Sequence, residues 1–78
     1  MKAVIVEDEA LAASRLEKLL GNVAPEMEVA TRLSSVKEAV KWFTLNSADL
    51  IFLDIQLSDG LSFSIFDEVT VNTPVIFT

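Results

Sequence analysis

The sequence contains no cysteine and no histidine. Without cysteine there is neither a disulfide nor a thiolate metal site, and without histidine there is no imidazole ligand and no ordinary base near neutral pH. Basic residues are scarce as well: six Lys and Arg stand against twelve Asp and Glu, a net charge of −6 with a pI near 4.3. That is the wrong sign for a chain that neutralises phosphates along a duplex, so no direct nucleic-acid contact is expected. No Gly-x-Gly-x-x-Gly or Walker-type loop follows the first apolar run, which removes support for nucleotide binding. Long hydrophobic runs are also missing. Ala3–Val6 is followed at once by Glu7, Asp8 and Glu9, far short of a signal-peptide core or a membrane span. A cytoplasmic location is the expectation.

What remains is 78 residues, enough for one domain, residues 1–78, with a modest core. Yet 51% of the residues are hydrophobic and the mean hydropathy is +0.46, high for a chain this small. Either apolar surface is exposed or the chain is part of something larger. Any chemistry must be carboxylate chemistry.

Ala3-Val4-Ile5-Val6 is continuous, largely β-branched and too short for a helix, so it reads as a strand buried on both faces. Leu11, Ala12, Leu16, Leu19 and Leu20 then form a helical stripe over about 9–20, with Asp8 as the N-cap and Gly21 as the stop. The alternation in Met27–Leu33 predicts a half-exposed edge strand. Ser35 and Glu38 have capping-box spacing ahead of Val36, Ala39, Val40 and Phe43, which predicts a second helix over about 35–46. Trp42 and Phe43 on it read as packing residues. Leu50–Leu53 is the second fully apolar strand, ending in Asp54; Gln56–Gly60 reads as a polar turn. Leu61, Ile65, Phe66 and Val69 suggest a short third helix over about 61–69, and Val75–Phe77 a fourth strand after Thr73-Pro74. Strands alternating with helices imply an α/β domain with right-handed crossovers and a parallel sheet covered on both faces.

In such sheets, ligands bind beyond the carboxyl ends of the strands, where neighbouring connections part to opposite faces. If strands one and three are neighbours, Glu7, Asp8 and Asp54 converge there. Three carboxylates together repel unless a cation is present, and an all-oxygen donor set suits Mg2+ rather than zinc. A calcium loop over Asp54–Ile65 fails on register: its sixth position is Asp59 rather than glycine and its twelfth is Ile65 rather than Glu.

These residues resemble a known family, the receiver domains of bacterial two-component response regulators. The resemblance rests on Val4-Ile5-Val6-Glu7-Asp8-Glu9, on Asp49-Leu50-Ile51-Phe52-Leu53-Asp54-Ile55, on Asp59-Gly60 and on Thr73-Pro74-Val75-Ile76, in that order along the whole chain. Asp54-Ile55-Gln56-Leu57 and Pro74–Thr78 look most like receivers of LytTR-type regulators. The resemblance implies a flavodoxin-like, three-layer, doubly wound sheet of order 2-1-3-4. It implies that Asp54 is the phosphoacceptor for a sensor histidine kinase. Glu7 and Asp8 would hold Mg2+ with Asp54, and Gln56 would contribute its backbone carbonyl. The domain would be a signalling element rather than an enzyme, controlling a transcriptional output domain.

Two departures stand out. Ser58 occupies a position where many receivers have proline. Complete receivers have five βα units, and this sequence stops at the fourth strand, short of the family's lysine; its switch hydroxyl is not assigned to Thr78. A longer protein, or a homodimer through the exposed fourth strand or the regulatory face, is the corresponding expectation. The alternative function is a phosphorylation-independent interaction module on the same fold.

Overall fold

The computed structural model describes residues 1–78, and its organising element is β1 (Lys2–Val6). Ala3, Val4, Ile5 and Val6 are all at most 1% exposed, as a central strand of a covered parallel sheet requires. The period of two divides them between two cores. Ala3 and Ile5 pack with Ala13, Leu20 and Phe52. Val4 and Val6 pack on the other face with Val36, Ala39, Phe43, Ile51, Leu53 and Ile65.

The helix α1 (Ala10–Val23) covers the first face. It differs from the expected helix at both ends. Asp8 is not its cap: Glu9 takes the capping position and makes no side-chain cap bond, so the helix starts one residue later and the Asp8 carboxylate is left to the site. Gly21 does not stop it either, having no positive φ. The helix runs on until Pro25 forces Ala24 out of helical geometry (φ −140°, ψ 66°), with the Ala24 N–H donating to Leu20 O at 2.8 Å. An edge strand, β2 (Glu28–Leu33), follows; its burial alternates and its register slips between Ala3 and Val4 of β1.

The second helix, α2 (Val36–Leu45), lies on the opposite face. The Glu38 N–H donates to Ser35 Oγ at 3.0 Å, as the capping spacing predicts. The return bond goes one residue further back than expected, from Ser34 N–H (3.0 Å) and Ser34 Oγ to the Glu38 carboxylate. Phe43 is core and Trp42 packs against it edge-on, their ring centroids 5.0 Å apart. Next to β1 lies β3 (Leu50–Leu53), with Val6 opposite Leu53.

The segment expected to be a polar turn is instead an antiparallel hairpin, β4 (Gln56–Leu57) and β5 (Gly60–Leu61). Leu57 is buried in the α2-side core, which is what holds the hairpin down. Gly60 has φ +145°, a conformation that side chains beyond hydrogen disfavour, so glycine is required there. The hairpin also shortens the third helix: α3 is Ser64–Glu68, with Ile65 buried. Finally β6 (Val75–Phe77) pairs in parallel with β3. The main sheet has order β2-β1-β3-β6, all parallel, the 2-1-3-4 order expected once the hairpin strands are counted separately. With α1 on one face and α2 and α3 on the other, the three-layer, flavodoxin-like arrangement is complete over these elements.

Candidate functional site

The chain leaving β1 passes to α1 on one face, while the chain leaving β3 passes to α3 on the other. The crevice between their carboxyl ends is therefore the topological switch point. The ladder continues one residue past each strand there. Glu7 N–H donates to Leu33 O at 2.9 Å, and Asp54 N–H donates to Val6 O at 3.0 Å. These bonds fix the backbones from which the acids project. Carboxylate oxygens of Glu7, Asp8 and Asp54 lie within 4.8 Å of one another, with Glu7 and Asp54 half-buried and Asp8 exposed.

Electrostatics follow from that crowding. The Glu7 carboxyl is pushed up from 4.5 to about 7. Burial is the main cause, followed by a hydrogen bond shared with Asp54; the charge of Asp54 and a hydrogen bond with Asp8 add to it. The Glu9 N–H, 3.4 Å from Glu7 Oε2, works in the opposite direction by favouring the charged form. Hard oxygen donors that are costly to keep charged together fit a small divalent cation well, since its charge would offset their repulsion.

A cavity of about 150 Å³ opens beside Glu7 and Asp8, toward α1 and the end of β2, with Arg32 and Ser34 on its wall. Arg32 itself pairs with Glu17 at 3.4 Å. Two larger cavities, of about 290 and 270 Å³, lie away from the three acids: one on the outer side of α2, the other between the end of α2 and residues 70–73. The chemistry is therefore concentrated in a shallow acidic crevice rather than in the largest cavity.

The structure brings Glu7, Asp8 and Asp54 together as the sequence suggested. Gln56 stands two residues beyond Asp54, opening the hairpin and paired with Leu61. Two residues of the loop after Asp54 carry structural roles that the sequence reading did not assign. Asp59, at the hairpin tip, accepts hydrogen bonds from Val36 N–H (2.8 Å) and Lys37 N–H (3.1 Å), and these hold its carboxyl below the usual range. Ser62 is fully buried and donates both its N–H (2.9 Å) and its hydroxyl (3.0 Å) to Ile55 O. Asp59 had a signal only as half of an Asp-Gly pair; Ser62 had none.

A parallel sheet of order β2-β1-β3-β6 with acids from β1 and β3 at its switch point defines the receiver class of the flavodoxin-like fold. No protein-family model matches the chain. It is 38% identical over 65 residues to the sensory transduction protein LytT of Bacillus anthracis, covering 83% of this chain and 26% of LytT. It is 39% identical over 59 residues to the transcriptional regulatory protein LytR of Staphylococcus aureus, covering 76% of this chain and 24% of LytR. In structure it matches the response regulator PhyR from Brucella abortus with a TM-score of 0.82 at 28% identity, over 97% of this chain and 32% of PhyR. By sequence and fold, the chain belongs among the receiver domains of response regulators, with LytT and LytR as its relatives in sequence. It spans about a quarter of the length of those curated relatives. No helix is long and apolar enough to cross a membrane.

Proposed function

We propose that residues 1–78 act as a phosphoacceptor unit of a cytoplasmic two-component response regulator, with Asp54 as the acceptor. The observation that carries the reading is the convergence of Glu7, Asp8 and Asp54 at the switch point of the sheet. An Asp54 carboxylate oxygen attacks the phosphorus of a phosphohistidine on a sensor kinase. The O–P bond forms as the P–N bond breaks, and the departing imidazole takes up a proton. Glu7, Asp8 and Asp54, with the backbone carbonyl of Gln56, would hold Mg2+, which when bound neutralises charge on the transferring phosphoryl oxygens.

The chain's own residues set the stage for this. The Asp54 N–H to Val6 O bond holds the nucleophile's backbone against β1. Glu7 carries a proton for part of the time near neutral pH when no cation is present, because burial and its acidic neighbours disfavour its charge. The shallow crevice leaves Asp54 half-exposed, open to a phosphoryl group presented by another protein. Self-association through β6 belongs to the same proposal, since Ile76 and Phe77 on this edge strand are nearly half exposed. A transcriptional output domain would act downstream, as the name of the LytR relative, a transcriptional regulatory protein, suggests for that protein.

Incubation with acetyl phosphate and Mg2+, followed by intact mass measurement, tests the reading. The expected result is a gain of one phosphoryl group that is abolished in Asp54→Ala and reduced in Asp8→Ala. Uptake that survives Asp54→Ala overturns the assignment.

A further inference from the structure

The loop that follows the acceptor contains the only buried polar residue of the protein, Ser62, and nothing in the reading above uses it. Its side chain is 0% exposed, yet it does not pair with another side chain. Both of its donors converge on one atom, the carbonyl oxygen of Ile55, the residue directly after Asp54. A carbonyl oxygen has two lone pairs, so this one is fully engaged inside the protein.

The hairpin register gives that arrangement a consequence. Gln56 is opposite Leu61 and Leu57 is opposite Gly60, which places Ile55 opposite Ser62. The Ser62 N–H to Ile55 O bond marks Ile55 and Ser62 as a hydrogen-bonded pair. In an antiparallel ladder such pairs alternate with non-bonded ones, so Gln56 and Leu61 form a non-bonded pair. The Gln56 carbonyl therefore faces away from β5 and is free to accept, while its neighbour's carbonyl is not. We infer that Ser62 is a positioning residue of the site: by locking the Ile55 carbonyl, it fixes the peptide units between Asp54 and Leu57 so that Gln56 offers its carbonyl as a ligand. The inference rests on the phosphoacceptor reading for the purpose of that ligand, and on the hydrogen bonds alone for the order of the loop.

Asp59 supplies the control. It fastens the tip of the same hairpin to α2, through Val36 and Lys37, and its side chain makes no hydrogen bond to Ile55 or Gln56. A purely structural role for Ser62 makes Ser62→Ala behave like Asp59→Asn.

The test compares the protein with its Ser62→Ala and Asp59→Asn variants by Mg2+ titration followed through amide NMR shifts of residues 54–57. It also measures metal-free amide exchange at residues 55–57 and thermal melting. Ser62→Ala is expected to speed exchange at these amides and to raise half-saturating Mg2+ about tenfold, the low end for a residue that orients a metal ligand, because the Ser62 N–H remains. Asp59→Asn is expected to lower the melting temperature and leave half-saturation unchanged. A Ser62→Ala variant with wild-type exchange at residues 55–57, or one that melts earlier with unchanged half-saturation, overturns the inference. Absence of Mg2+ uptake by the unmodified protein contradicts the phosphoacceptor reading instead, and the exchange rates at residues 55–57 then decide the positioning role on their own.

Discussion

Glu7 shows how a single residue carries information about both folding and binding. Its carboxyl titrates near 7 in the folded protein against 4.5 ordinarily. Below 4.5 both states hold the proton and there is no cost. Between 4.5 and about 7 the folded state keeps a proton that the unfolded state releases, so stability falls as pH rises across that window. Urea midpoints of the metal-free protein measured across it are expected to decline. Glu7→Gln, with no charge to confine, flattens the decline, and saturating Mg2+ weakens it by stabilising the charged carboxylates. A Glu7→Gln variant with an unchanged pH slope would place the titrating group elsewhere. Gly60 makes a second residue-scale prediction. No atom lies near where a Cβ would stand, so Gly60→Ala meets no clash, and its cost comes from φ +145° alone. A loss of about 1–3 kcal/mol in denaturant unfolding is expected.

Among the elements, the strands were the most legible in the sequence, for a physical reason. Ala3–Val6 and Ile51–Leu53 are buried on both faces, and continuous apolar runs such as Ala3–Val6 and Leu50–Leu53 have few other interpretations. The helix ends were less so. Gly21 looked like a stop, but the residue that ends α1 is Pro25, acting through Ala24. Asp8 looked like a cap, yet it belongs to the acid cluster. The hairpin was invisible because two-residue strands carry no periodicity; only the burial of Leu57 reveals its purpose. The cap that Asp59 places on α2 joins residues more than twenty positions apart, beyond any local pattern. Asp59 titrates below its ordinary 3.8, so its contribution is present above that value and is lost as pH falls through the lowered one. Asp59→Asn is therefore expected to lower the urea midpoint at neutral pH, with the gap to the unmodified protein closing in acid. An equal gap at both pH values would mean that the charge on Asp59 does not serve the cap.

At the scale of the whole molecule, the acid cluster was readable because the fold was. Once β1 and β3 are neighbours, their carboxyl ends must share a crevice, and the absence of histidine and cysteine leaves oxygen as the only ligand chemistry. The surplus hydrophobicity also has a location. Ile76 and Phe77 on the edge strand β6 are exposed, Phe77 contacts Phe63 edge-on at 5.6 Å between centroids, and Phe63 and Leu61 are themselves exposed. An uncovered edge with apolar side chains favours pairing with another strand. Sedimentation is expected to show self-association that rises with concentration and is suppressed in Ile76→Lys; a monomer at all concentrations would contradict it. The central claim, that Asp54 receives a phosphoryl group, is tested most directly by locating the modification. After acetyl phosphate and Mg2+, borohydride reduction and peptide sequencing by mass spectrometry are predicted to find the label on Asp54 alone. Label on another carboxylate, or none on a folded, Mg2+-loaded protein, would contradict it.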